Sequence, residues 1–155
     1  NFSLYFVKKT SEARVNNYRL AIRDKQIVMD LQKLGLVPKK SLVLTFPEVP
    51  DEFLKPFIHG YLDGDGCLFE SSYTNYCKFI STLQFCESFK SKIDSLLGIN
   101  SRINKKGNVW TWIVSNAKDL ILFIDWLYED YTFGLDRKYE KYLKIKNNIN
   151  LKLNN

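Results

Sequence analysis

Residues 53 to 66, Phe-Leu-Lys-Pro-Phe-Ile-His-Gly-Tyr-Leu-Asp-Gly-Asp-Gly, form an apolar segment that closes on two aspartates set between glycines 60, 64 and 66. The spacing predicts a short helix whose last turn carries Asp63 and Asp65. A carboxylate at a glycine-bounded helix end projects beyond the packed interface, where a hard cation and a phosphate can both reach it. Gly60 and Gly64 lie four apart on one helical face, so a second helix can approach there almost backbone to backbone. Taken alone, the Asp/Gly run has equally the composition of a polar turn after a buried helix.

The chain has 155 residues, 45% of them apolar and 15% aromatic, enough for one compact core or two small packed halves without disulfide support. No apolar run approaches the length of a membrane span. Cys67, Cys77 and Cys86 are odd in number and lack paired CxxC spacing, which points away from a disulfide framework or zinc site and toward a reducing, intracellular compartment. The formal charge of +6 is unevenly spread. Residues 1 to 42 carry nine Lys/Arg against three acids and residues 137 to 155 six against one, while the middle holds eight against thirteen. Basic flanks attract phosphate backbones by counterion release, and an acidic centre repels them unless divalent cations sit there. Mixed charge of this kind also simply keeps a small domain soluble.

Beyond the glycines, apolar alternation over Cys67 to Glu70 and Phe79 to Phe85 predicts two half-buried strands. Phe89, Ile93, Leu96 and Leu97 stand at helical spacing over Glu87 to Leu97, with Gly98 as C-cap. Arg102 to Lys105 and Val109 to Val114 flank a turn at Lys106-Gly107-Asn108. Asn116 or Ser115 caps a helix carrying Leu120, Ile121, Phe123, Ile124 and Leu127, and a last helix from Asp136 carries Tyr139, Tyr142, Leu143 and Ile149. The order from residue 51 is helix, two strands, helix, two strands, helix, and the Asp136 helix follows.

The start of the chain repeats the end of that order. Asn17 to Ile22 alternates like Val109 to Val114, and each is followed by a polar junction and an apolar helix, which aligns Lys25 with Lys118 at an offset of 93 residues. On this reading residues 1–36 are a partial first repeat, 37–50 a proline-bearing connector and 51–155 a complete second repeat, and the chain begins inside its first copy.

The segment Ile58-His59-Gly60-Tyr61-Leu62-Asp63-Gly64-Asp65-Gly66 resembles the LAGLIDADG motif, and Leu34 to Ser41 with the following Phe-Pro and Val-Pro pairs resembles the connector of single-chain, two-repeat LAGLIDADG homing endonucleases. The resemblance covers nearly the whole chain. It implies an α+β fold of αββαββα repeats, in which a saddle-shaped antiparallel sheet carries its helices on one face and two motif helices pack together. It further implies a site-specific endonuclease of double-stranded DNA that uses Mg²⁺, each motif helix giving one acid. Asp65 and Gly64 are then the metal-site residues, Asp63 helps hold the turn, Gly60 and Gly64 form the helix interface, and Lys118 and Lys25 are catalytic lysines near the phosphate. The second motif helix comes from a preceding repeat, a separate chain or a second copy. His59 is implied to be helix surface or a phosphate contact.

Strands of a twisted antiparallel ribbon enter the major groove, so alternating polar residues are the candidate nucleic-acid contacts: Arg19 and Arg23, Thr82 and Gln84, and Arg102, Asn104 and Lys106. Such alternation is also that of any solvated sheet. Trp110 and Trp112 share a side of their strand and read as core. Two rival functions use the same residues differently. A cleavage-inactive relative, acting as an RNA splicing maturase, regulator or structural RNA-binding component, keeps the basic face without the second acid. A protein-interaction domain uses only the Gly60/Gly64 helix face. Abundant Asn, Lys, Ile and Tyr fit an AT-rich genome such as that of an organelle or phage.

Overall fold

The computed structural model describes residues 2–8, 17–36 and 43–153. The chain divides into two compact units, Asn1–Pro38 and Lys39–Asn155. In the first, β1 (Phe2–Val7) and β2 (Asn17–Ile22) pair antiparallel, with Phe2 opposite Ile22 and Val7 opposite Asn17. Asp24 then starts α1 (Lys25–Lys33), its carboxylate accepting the Ile27 N–H at 3.1 Å. No residue of α1 is buried, so its apolar side chains Ile27, Val28 and Leu31 stay open.

The second unit runs α2 (Asp51–Asp65), β3 (Cys67–Phe69), β4 (Tyr76–Ser81), α3 (Leu83–Leu97), β5 (Arg102–Lys106), β6 (Val109–Val114), α4 (Ala117–Tyr128) and α5 (Asp136–Leu153). This is the αββαββα order, followed by one more helix. The four strands form an antiparallel sheet in the order β3-β4-β6-β5. Alternation along the strands sends Leu68, Cys77, Phe79, Trp112 and Val114 into the core against α2, α3 and α4. Trp112 sits at its centre, 4.8 Å from Phe89 and 5.2 Å from Phe123 between ring centroids, and its indole N–H donates to Ser101 at 2.6 Å. Residues 44 to 50 form no helix or strand, yet Leu44, Phe46 and Val49 pack on this core, and the Thr82 hydroxyl donates to the Leu44 carbonyl.

Three expectations need correction. The alternation through Phe85 is not one strand. β4 stops at Ser81 because Thr82 turns its hydroxyl back to accept the Phe85 N–H at 3.1 Å, which starts α3 four residues earlier than the apolar spacing suggests. Thr82 and Gln84 therefore stand on a helix start and not on a strand. In α5 the buried stripe is Lys138, Tyr142, Ile145 and Ile149, while Leu143 is exposed. The elements that the repeat reading would align also start 92 residues apart, not 93: β2 and β6 at 17 and 109, the caps at 24 and 116, α1 and α4 at 25 and 117. Lys25 and Lys118 thus hold successive helical positions, the first and the second.

Candidate functional site

Helix α2 begins after Pro50 with Asp51 and Glu52 in its first turn, where negative charge complements the helix dipole. Leu54, Ile58 and Leu62, at intervals of four, make its buried face. Phe53, Pro56, Gly60 and Gly64 make the exposed one. The three motif glycines serve different ends. A β-carbon added at Gly60 or Gly64 meets nothing within 4 Å, whereas one at Gly66 falls 2.5 Å from the Leu62 side chain and 2.7–2.8 Å from Leu62 backbone atoms. Gly66 is required by the unit's own packing, and its φ of −78° is open to any residue. Among the described residues nothing in this unit requires Gly60 and Gly64 to be glycine.

The two motif aspartates also part company. Asp63 is largely enclosed and its Oδ2 accepts the Leu135 N–H at 2.8 Å, so it holds the start of α5. In return Lys138, in the first turns of α5 and only 4% exposed, donates to the carbonyls of Leu62, Asp63 (3.0 Å) and Gly66 (2.8 Å). Each helix end is capped by a charge of the sign its dipole favours. Burial, then the Arg137 charge, holds the Lys138 ammonium below the usual lysine range, against the pull of Asp63. Gly134 lets this joint close, since a β-carbon there would lie 2.9 Å from Asp63 Oδ2 and 3.0 Å from the His59 ring. His59 packs edge-on to Tyr128 at 5.0 Å with its Nε2 3.8 Å from Asp63, largely enclosed, and so is not the surface or phosphate contact expected of it.

Asp65, the last residue of α2, is exposed. Beside it Tyr61 stacks on Phe85 at 5.0 Å. Burial raises the Tyr61 hydroxyl above its ordinary pKa, a bond with Ser81 opposes this, and the Asp65 charge adds to it.

The sheet face turned away from the core is open. Its cross-strand rows are Cys67–Lys78–Ile113–Arg102 and Ile80–Thr111–Asn104, flanked by Phe69–Tyr76 and Val109–Lys106. Phe69 and Tyr76 stack at 4.8 Å, and the Lys78 ammonium lies 5.1 Å from the Tyr76 ring centroid. No strand of this sheet contains an Asp or Glu.

No protein-family model matches the chain, and no curated protein sequence does. Solved structures do. The group I intron-encoded homing endonuclease I-CeuI, complexed with DNA, matches 83% of this chain and 65% of its own at a TM-score of 0.53 and 17% identity. The archaeal intron-encoded homing endonuclease I-Vdi141I, also complexed with DNA, matches 68% of this chain and 72% of its own at 0.52 and 19%. The I-SmaMI LAGLIDADG homing endonuclease bound to cleaved DNA matches 85% of this chain at 0.52 and 18%. The fold is that of the LAGLIDADG homing endonucleases. This chain spans just under half of I-SmaMI, 46%.

The expected residues scatter around α2. Gly60, Gly64 and Asp65 share its exposed side and end. Arg102, Asn104 and Lys106 share the open sheet face, where Arg102 donates to the Ser115 hydroxyl at 2.7 Å. Lys118 is exposed in the first turn of α4, behind the Asn116 cap. Arg19 lies exposed on β2 opposite Tyr5, Lys25 is the exposed first residue of α1, and Arg23 falls one residue beyond its strand. Among the described residues no three His, Cys, Asp or Glu side chains converge. Asp65 thus fits a hard cation in donor type, but the described residues gather no group of three such donors around it. Among the described residues no helix is long and apolar enough to cross a membrane.

Sequence reasoning missed Lys138, Lys78, Ile80, Thr111 and Ile113. Lys138 left a signal, because it occupies the same stripe as Tyr142, Ile145 and Ile149. The others needed the strand register.

Proposed function

We propose that this chain is one part of a site-specific double-stranded DNA endonuclease of the LAGLIDADG type, whose second motif helix packs on the Gly60/Gly64 face of α2. What supports the reading is the pairing of an exposed Asp65 with a helix face that the chain's own fold does not need to be glycine. Asp65 would then be one of two carboxylates holding Mg²⁺, which would supply water activation and charge neutralisation at the phosphate. Lys118 is assigned to the charge at the phosphate, and Lys25 to the same task in the other unit. The open sheet face takes the duplex.

Cleavage of a selected duplex is expected from this chain only together with a second motif helix, supplied as a preceding repeat, a second copy or another chain. Cutting by this chain alone, proven monomeric by sedimentation, would overturn the two-helix reading, and failure to bind any duplex would overturn the function. The glycines give a test on the fold itself. Gly60→Ala and Gly64→Ala are each expected to stabilise the isolated chain by about 0.5–1 kcal/mol, since alanine is the better helix former, while weakening assembly. Gly66→Ala is expected to cost about 1–3 kcal/mol. Chemical denaturation of the three variants separates these outcomes.

The donor shortfall favours one alternative, a cleavage-inactive nucleic-acid-binding relative of the maturase or structural type. Its signature is an affinity for RNA that exceeds that for duplex DNA at matched salt.

A further inference from the structure

The open sheet face is not the uniformly polar surface that phosphate binding alone needs. Its middle is methyl-bearing: Ile80 and Thr111 face each other across β4 and β6, and Ile113 follows Thr111 two residues on, on the same face. Ile80 is 53% exposed, a large apolar side chain left in water by the unit's own packing. Polar and cationic groups frame this centre, with Lys78 and Arg102 flanking Ile113 in one row and Asn104 ending the other. The absence of any carboxylate from the four strands makes the face complementary to a polyanion.

In the major groove the one apolar group a base pair presents is the thymine 5-methyl. We propose that Ile80, Thr111 and Ile113 read thymine methyls, so that the half-site under this sheet is specified by adjacent T positions, with Lys78 and Arg102 holding the flanking phosphates. The inference rests on the DNA-binding reading above and adds to it the base class and the residues that select it. Asn104, at the end of the Ile80–Thr111 row, is placed for an adenine edge next to those positions.

The probe is a randomised 24-base-pair duplex pool selected with the full chain, after which the enriched duplex is remade with deoxyuridine in place of thymidine. Removal of each contacted methyl is expected to weaken binding about three- to fivefold, the effect of one buried methyl-sized group. Ile80→Ser, at an exposed position that leaves the core intact, is expected to reduce that dT-over-dU preference, whereas Lys78→Ala should weaken both duplexes alike and flatten the salt slope by about one. Equal affinity for the dT and dU duplexes would overturn the inference while leaving the endonuclease reading in place. Retention of the full preference by Ile80→Ser would overturn the assignment to this face. No duplex binding at all would overturn both.

Discussion

Replacement of Asp65 by asparagine is expected to abolish strand cleavage by the assembled nuclease, a loss of roughly a thousandfold or more, and to leave duplex affinity within about twofold. The asymmetry follows from where the carboxylate stands. Asp65 is exposed at the end of α2, so an isosteric amide disturbs no packing, and a single carboxylate contributes nothing attractive to a phosphate backbone without a cation between them. An amide binds a hard divalent ion far more weakly than an anionic oxygen. Cleavage and affinity measured on the same selected duplex decide the matter. Undiminished cleavage would place the metal elsewhere, and lost binding by a protein still folded by circular dichroism would give the carboxylate a different role. The neighbouring Asp63→Ala is expected to act through the fold instead, because it removes the acceptor of the Leu135 N–H.

Lys138→Met is the second large effect, and it falls on stability. Methionine keeps the aliphatic stem but strips three carbonyls, those of Leu62, Asp63 and Gly66, of their charged donor in a place where water does not replace it. The expected cost is about 3 kcal/mol. Urea unfolding should show it as a lowered midpoint with an unchanged slope. Lys144→Met, on the exposed side of the same helix, is the control, with a change within about 0.5 kcal/mol. Equal midpoints for the two variants would mean that the buried ammonium does not cap α2.

The legible part of this fold was the part written in local periodicity. Strands β5 and β6, their Gly107 turn, the Gly98 and Asn116 caps and the order of elements after residue 51 can all be read from spacing and turn chemistry. The start of α3 could not, because Ser81-Thr82-Leu83-Gln84-Phe85 alternates as well as a strand does, and only the hydroxyl of Thr82 decides between the two. Lys138 was hidden by its type: among many lysines of a basic helix, one placed on the buried stripe looks like noise until the helix end it faces is known. His59 is the single histidine and stands within the motif segment, yet its surroundings are the Tyr128, Tyr131 and Asp63 side chains of a packing joint. The centre of the open sheet face depended on cross-strand register, which pairs residues 31 positions apart in sequence, Ile80 with Thr111, and no local pattern reports that.

The unequal demands on the motif glycines set what drift can do to such a protein. A lineage that stopped docking through α2 would be free to fill positions 60 and 64 with any good helix former and gain rigidity by doing so. Position 66 has no such freedom, because the leucine one turn earlier already occupies the room. The trace of an abandoned nuclease would then be a motif eroded at its first two glycines and intact at its third.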